Sequence, residues 1–329
     1  MSFILYEVRD RVAIVTLNRP ETNNAQHPPL LAELDAAFDK AVADDNVRVI
    51  VLNASGKHFS AGHDISAEVV KHEPWLSMFD DVSANGLLRM YRWESKHFLG
   101  YSNKWRNLPK PTIAAVQGAC VAAGLMLIWP MDLIVAADNS RFSDPVINMA
   151  IGGVEYHGHT WEFGPRKAKE MLFTGRWMNA EEAEKVGMIN RVVPLEQLHE
   201  ATLALANDIA TKHPHGLLMA KRAVNQTMDI MGQYAAIQAC FDTHSLGHAN
   251  AWAAEPMRGT VYYYCDCGTG AQAGCVAGSN SNAGTSPSAP RQTIANAAAR
   301  FGALAVNDTV ARCKGGACDA GTTGRAIGS

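Results

Sequence analysis

The sequence predicts an α/β protein, and three observations carry that prediction. Strand-like and helix-like runs alternate between residue 3 and residue 137, small-residue turns follow two of the strands, and Leu195 to Met231 has a helical period. In order, residues 3–17 alternate well enough for two short strands, and Leu30 to Asp44 carry apolar residues at helical spacing. Val47 to Asn53 is the next strand, and Pro111 to Val116 (TIAAV after a Lys-Pro) the one after it. Gly118 to Leu127 is small and apolar, and Leu133 to Ala137 reads as a further buried strand. This order argues for helices covering a largely parallel sheet. Helical spacing returns from Glu162 to Val186 and from Leu195 to Met231, broken at His213-Pro214 and Gly216.

Composition narrows the function. The chain has 329 residues, 47% of them apolar, enough for a sizeable core. Its formal charge of −3 comes from interspersed charges, with no basic block to bind nucleic acid or an acidic membrane. The first apolar patch is broken by Glu7, Arg9, Asp10 and Arg11, too early for a signal peptide or a membrane span. A cytoplasmic protein with neither nucleic acid nor membrane as partner is the expectation. Cys120 and Cys240 stand alone before residue 260, whereas Cys265, Cys267, Cys275, Cys313 and Cys318 crowd the end. Sparse cysteine suits a reducing compartment and dense cysteine a secreted one, so a boundary is expected near Pro256 to Thr260.

Two turns carry the candidate chemistry. FSAGHDI, Phe59 to Ile65, follows a strand and a Gly56-Lys57 turn; Gly62 permits a backbone turn that aims the next N–H into a cavity, and Asp64 can cap a following helix. On its own this segment reads equally well as an ordinary strand-to-helix turn. GACVAAG, Gly118 to Gly124, lies between a strand and an apolar helix, where small residues allow close approach of a ligand and helix N–H groups are free to bind an anion. Tight packing is its plainer reading. Together the two turns supply the pair of N–H donors of an oxyanion hole.

NRPETNNA from Asn18, FSAGHDI from Phe59, KPTIAAVQGACVAAG from Lys110 and FTGRWMNAEEAEKVGMINRVVP from Phe173 resemble the enoyl-CoA hydratase/isomerase (crotonase) family in order and spacing, over about residues 1–255. The resemblance implies a crotonase spiral of β-β-α turns spanning 1–195 and a helical C-terminal trimerisation part spanning 196–257. It also implies an acyl-CoA thioester substrate, no separate cofactor, and a homotrimer or dimer of trimers. By motif position the N–H groups of His63 and Ala123 correspond to the oxyanion donors. Ser60, Ala61, Asp64 and Ile65 fall where the family holds the adenine and pantetheine, Ala25 lies at the CoA entrance, and Lys221 resembles the position near the CoA phosphates. An exposed helix lysine is the plainer reading of Lys221.

Departures from the family bear on the reaction. Met126 and Val146 stand where family hydratases carry their two glutamates, and neither can move a proton. Glu155, in IGGVEYHGHTWE, lies near where family isomerases and dehalogenases carry an active-site acid, and Gly152-Gly153 would let its backbone enter the pocket. Asp144 in FSDPV is the second candidate acid, with a local hydrogen-bonding role as its alternative. Tyr156, His157, His159 and Trp161 are read as acyl-pocket residues or partners of the glutamate, with core packing as the alternative. Glu155, His157 and His159 supply only three local ligands, and the family uses none, so no metal is expected. The aromatic stretch from Trp75 to Trp105 is read as a helical wall over the acyl group. FSAGHDI also occurs in decarboxylases of the family, which leaves decarboxylation, thioester hydrolysis and catalysis-free acyl-CoA binding open beside isomerase or lyase chemistry. Residues 261–318 instead resemble the start of secreted right-handed parallel β-helix proteins. A β-helix needs several stacked coils to bury a core, so 258–329 is expected not to fold independently.

Overall fold

The computed structural model describes residues 2–65, 86–253, 261–265 and 309–313. Residues Met1–Ala249 form one compact unit and Asn250–Ser329 a second. In the first unit, β1 (Ile4–Arg9) and β2 (Val12–Leu17) form an antiparallel hairpin. Helix α1 (Pro28–Ala43) begins at His27, whose Nδ1 accepts the Leu30 N–H, with Pro28 in the first turn where a missing N–H costs nothing. It carries the chain back to β3 (Val49–Ala54), parallel to β2 with Ile14 opposite Val51.

Helix α2 (Gly86–Glu94), a π-helical turn (Ser95–Leu99) and α3 (Gly100–Arg106) then lead into β4 (Thr112–Val116) and β5 (Ala119–Val121). A 3₁₀ turn, Ala122–Gly124, opens the short α4 (Leu125–Ile128), and β6 (Leu133–Ala137) and β7 (Arg141–Ser143) follow. The remaining elements are α5 (His159–Thr174), β8 (Met178–Asn179), α6 (Ala180–Lys185), β9 (Arg191–Val193), α7 (Leu198–Ala210), α8 (Pro214–Ile230) and α9 (Gln233–Ala253). The large sheet runs β1-β2-β3-β4-β6-β9, parallel from β2 onward, and a small one runs β5-β7-β8. Strands β4 and β6 enter the large sheet while their successors β5 and β7 enter the small one. The chain therefore winds as the spiral that the family resemblance implied.

Alternation along the strands buries both faces of the large sheet. Ile50, Leu52, Ala114 and Val116 face the main core with Leu34 and Phe38 of α1. Val49, Val51, Ile113 and Ala115 face Leu198, Ala206 and Ala210 of α7. Each fully buried Val, Leu, Ile or Phe among them contributes about 1.5–3 kcal/mol, and burial of both faces is why these strands read as nearly continuous apolar runs rather than alternating ones.

The expected helical run from Glu162 to Val186 is not continuous. Gly175 adopts φ 61° and donates its N–H to Met171 O at 2.7 Å, closing α5 as an αL cap. Strand β8 intervenes, and Asn179 Oδ1 accepts the Glu182 N–H at 2.8 Å to start α6. The apolar period survived the interruption because both helices bury the same side, through Met171 and Ala183.

Of the last segment, β10 (Val261–Cys265) and β11 (Thr309–Cys313) pair in parallel, Tyr263 opposite Ala311. The rest of the expected β-helix-like stretch lies outside the described residues, as do the first part of the aromatic stretch, from Trp75, and the helix that Asp64 was expected to cap. Among the described residues no helix is long and apolar enough to cross a membrane.

Candidate active site

The first turn is held by side chains of NRPETNNA. Asn23 and Asn24 both take φ 53°, a left-handed conformation that asparagine tolerates. From there the buried Asn24 amide donates to Ser55 O and His58 O, bracing the approach to FSAGHDI. Ser60 Oγ donates to Asn24 O at 2.9 Å and accepts from Gln26 Nε2 and the Gly62 N–H at 3.2 Å each. The Ser60 hydroxyl is thus a brace of the turn, and its side chain is not open to a ligand. Gln26 bonds to Gly62 O and the Asp64 N–H, 2.7 Å each, in a parallel bridge that leaves the intervening His63 N–H directed away from it.

The second turn packs directly on the first. A bridge joins Ser60 to Cys120, and a Cβ placed on Gly62 (φ 89°) would lie 2.9 Å from Val121 O and 3.3 Å from Ala123 N. Ala122 sits at φ 47°, turning the chain into the helical start where Ala123 N–H has no intrahelical partner. Gly118 is also left-handed, and a Cβ there would overlap Lys57 O. The two expected donor turns are therefore in contact.

Glu155 joins them. It is 3% exposed, its Oε1 lies 3.2 Å from His63 Nε2 and 3.5 Å from His244 Nε2, and the His63 ring stacks on Phe98 at 3.9 Å. Burial pushes the Glu155 carboxyl up, but the neighbouring His63 and His244 outweigh it and hold it down to about 2. Glu94, at the end of α2, is pushed well above the usual carboxylate range by burial and then by the charge of Glu155. His248, one turn beyond His244 on α9, lies 3.0 Å from it through facing Nε2 atoms, and burial followed by His244 lowers it to about 4.

The other expected residues are placed as follows. Asp144 is fully buried, its Oδ2 accepting the Val154 N–H at 2.9 Å and its Oδ1 the Val146 N–H at 3.4 Å, so it ties the turn before Glu155. His159 approaches the same carboxylate to 2.9 Å and packs against Trp129. His157 stands 4.5 Å from His159 between ring centroids and is lowered to about 4 by burial and then His159. Trp161 packs against the main core. Tyr156 lines a cavity of about 390 Å³ with Arg106, Trp129, Lys221 and Gln233. Lys221 is not an exposed helix lysine: its side chain is 6% exposed and its Nζ donates to Asp132 Oδ2 at 2.8 Å, beside the cavity that Tyr156 lines. Asp64 is held by Arg19 at 3.1 Å, Ala25 is buried, and Ala61 and Ile65 are exposed beside the first turn. Met126 and Val146 pack with the core, leaving no acid at either hydratase position.

Sequence reasoning missed Glu94, His244 and His248. His244 and His248 had a readable signal, HSLGH, two histidines at helical i, i+4 spacing. Glu94 had none, because only the π-helical turn after it and the packing of α2 set where it points.

The fold and these turns define a CoA-thioester enzyme of the crotonase type. Residues 7–251 match the enoyl-CoA hydratase/isomerase family model, and the chain belongs to that family. EchA13 of Mycobacterium tuberculosis, which carries the name enoyl-CoA hydratase, is 43% identical over 258 residues, covering 75% of this chain and 81% of its own. Solved structures named as enoyl-CoA hydratases are similar too. The one from Mycobacterium thermoresistibile is 56% identical with a TM-score of 0.70, covering 76% of this chain and 98% of its own. One from Mycobacterium smegmatis is 55% identical with a TM-score of 0.71, covering 78% of this chain and 98% of its own.

Proposed function

We propose that this chain binds an acyl-CoA thioester with its carbonyl oxygen between the N–H groups of His63 and Ala123, and that Glu155 exchanges a proton with the α-carbon. The observation that carries this reading is the buried Glu155 carboxylate bonded to the side chain of His63, the same residue that offers the oxyanion N–H. Taking the α-proton onto Glu155 leaves an enolate whose negative oxygen meets the two N–H groups, the state such donors stabilise most. Ala25, Ala61, Asp64 and Ile65 border the CoA entrance in this reading, and the location is cytoplasmic. Hydration by two carboxylates at the usual positions is not proposed, since Met126 and Val146 occupy them.

A second reading is decarboxylation, favoured by the low titration of Glu155 in the free protein, which makes it a weak base. Losing carbon dioxide from the α-carbon also leaves an enolate and needs no proton taken. Both are tested by incubating a panel of acyl-CoAs in deuterium oxide. Exchange at the α-carbon that drops by about 10²- to 10⁴-fold in Glu155→Gln, with binding retained, supports proton transfer. Carbon dioxide release from α-carboxyacyl-CoAs without exchange from saturated ones supports decarboxylation. Binding with neither reaction in the wild type leaves a CoA-thioester binding protein.

We also propose a homotrimer or a dimer of trimers. Val224, Ile230, Tyr234 and Leu246 on α8 and α9 are 63%, 87%, 54% and 68% exposed, an apolar surface that self-association would cover. Light scattering on the full chain reads the subunit number, and a monomer at micromolar concentration rejects it.

A further inference from the structure

Helix α9 places His244 and His248 on one face, four residues apart, and α2 ends with Glu94 opposite them. The two Nε2 atoms are 3.0 Å apart, Glu94 Oε2 is 3.7 Å from His244 Nε2, and Glu94 Oε1 is 3.7 Å from His248 Nε2. One ligand atom from each residue falls within 4.8 Å of the others. Zinc bonds of about 2.0–2.1 Å place tetrahedral ligand atoms roughly 3.3 Å apart. The observed separations bracket that edge.

Hydrogen bonding within the cluster leaves it incomplete. His244 Nδ1 lies 2.7 Å from Gly153 O, and since a carbonyl only accepts, that nitrogen carries a proton and Nε2 is the ring atom left to ligate an ion. This backbone contact is the arrangement that orients a metal-ligating histidine. Glu94 is 4% exposed, and its Oε2 has no hydrogen-bond partner among the described residues. An orphaned carboxyl oxygen in such a setting carries a desolvation cost that a cation would remove.

We propose that Glu94, His244 and His248 bind one divalent transition-metal ion, Zn²⁺ in the first instance, through two imidazole nitrogens and a carboxylate. Three protein ligands leave a coordination position open, as in sites where zinc takes water or substrate. The ion's charge would stand beside Glu155, whose Oε1 is 3.5 Å from His244 Nε2. This site departs from the expectation of no metal, which rested on the family's using none and on Glu155, His157 and His159 supplying only three local ligands. It goes beyond the proposed thioester chemistry and is read without any acyl-CoA, so either can fail alone.

The test is titration of the chelator-stripped full chain with ZnCl₂ by calorimetry and with CoCl₂ by visible absorption. One equivalent per chain is expected, with cobalt d–d bands of a nitrogen and oxygen site and no thiolate charge-transfer band. Both His248→Gln and Glu94→Gln should weaken affinity by about 10²-fold or more, since even outer contacts of such sites cost 10- to 100-fold. Melting of each variant without metal shows whether it is folded, and either one suffices. Absence of binding by the wild type overturns the site and leaves Glu94 a protonated buried acid. Unchanged affinity in a folded variant, or thiolate bands from the C-terminal cysteines, also overturns it.

Discussion

His63 Nε2 and Glu155 Oε1 lie 3.2 Å apart, so the residue whose N–H is proposed as an oxyanion donor also contacts the candidate proton carrier. The two groups come from distant parts of the chain: His63 from the turn after β3, Glu155 from the loop before α5. Phe98, stacked on the His63 ring, adds a third element to this contact through the π-helical turn. Such single-turn π segments often mark functional sites. Here the segment positions both Glu94, at its start, and Phe98.

Gly62→Val should disable turnover while leaving a folded protein. A Cβ there would sit 2.9 Å from Val121 O, which is backbone and cannot swing aside, and the residue would be strained at φ 89°. The turn must shift, and the His63 N–H shifts with it. Loss of one oxyanion donor costs about 10²-fold or more in turnover. Steady-state kinetics beside a melting curve check this, and unchanged kinetics in the folded variant would reject the assigned hole.

Truncation after Met257 should leave acyl-CoA affinity unchanged, because the family match ends at residue 251 and the site residues all lie within Met1–Ala249. Calorimetry with an acyl-CoA on both forms measures it. A shortened protein that melts normally yet binds no thioester would show that the last segment takes part.

The fold was legible where local signals and burial agreed. Val49 to Leu52 and Ile113 to Val116 are apolar throughout because both faces of the sheet are covered, and a run of that kind has few other readings. The two glycine turns were legible as turns because their glycines meet backbone: Gly62 packs on Val121 and Gly118 on Lys57. Ser60 and Lys221 were named from motif position, but a motif says nothing of which partners a side chain finds. Ser60 turned inward to Asn24 and Lys221 to Asp132. Glu94, His244 and His248 come together from segments about 150 residues apart in sequence, and no local pattern encodes such a meeting.

Replacing the His63 side chain should move the pH dependence of the enzyme upward. In the free protein burial raises the Glu155 carboxyl, and His63 and His244 together bring it down to about 2, so it is ionised across the whole neutral range. The wild-type kcat/KM should therefore show no Glu155 limb before acid unfolding begins. His63→Asn keeps the backbone N–H but removes the imidazole, so burial gains ground and the carboxyl titrates higher. An acid limb should then enter the profile, with activity falling as pH drops. Stability carries the matching sign. A carboxyl depressed from 4.5 to about 2 stabilises the folded protein fully above its unfolded value, and that contribution is lost as pH falls from 4.5 toward 2. The melting temperature of the wild type should fall across that window and that of His63→Asn should fall less. Superimposable rate and melting profiles for the two proteins would show that His63 does not hold the Glu155 charge.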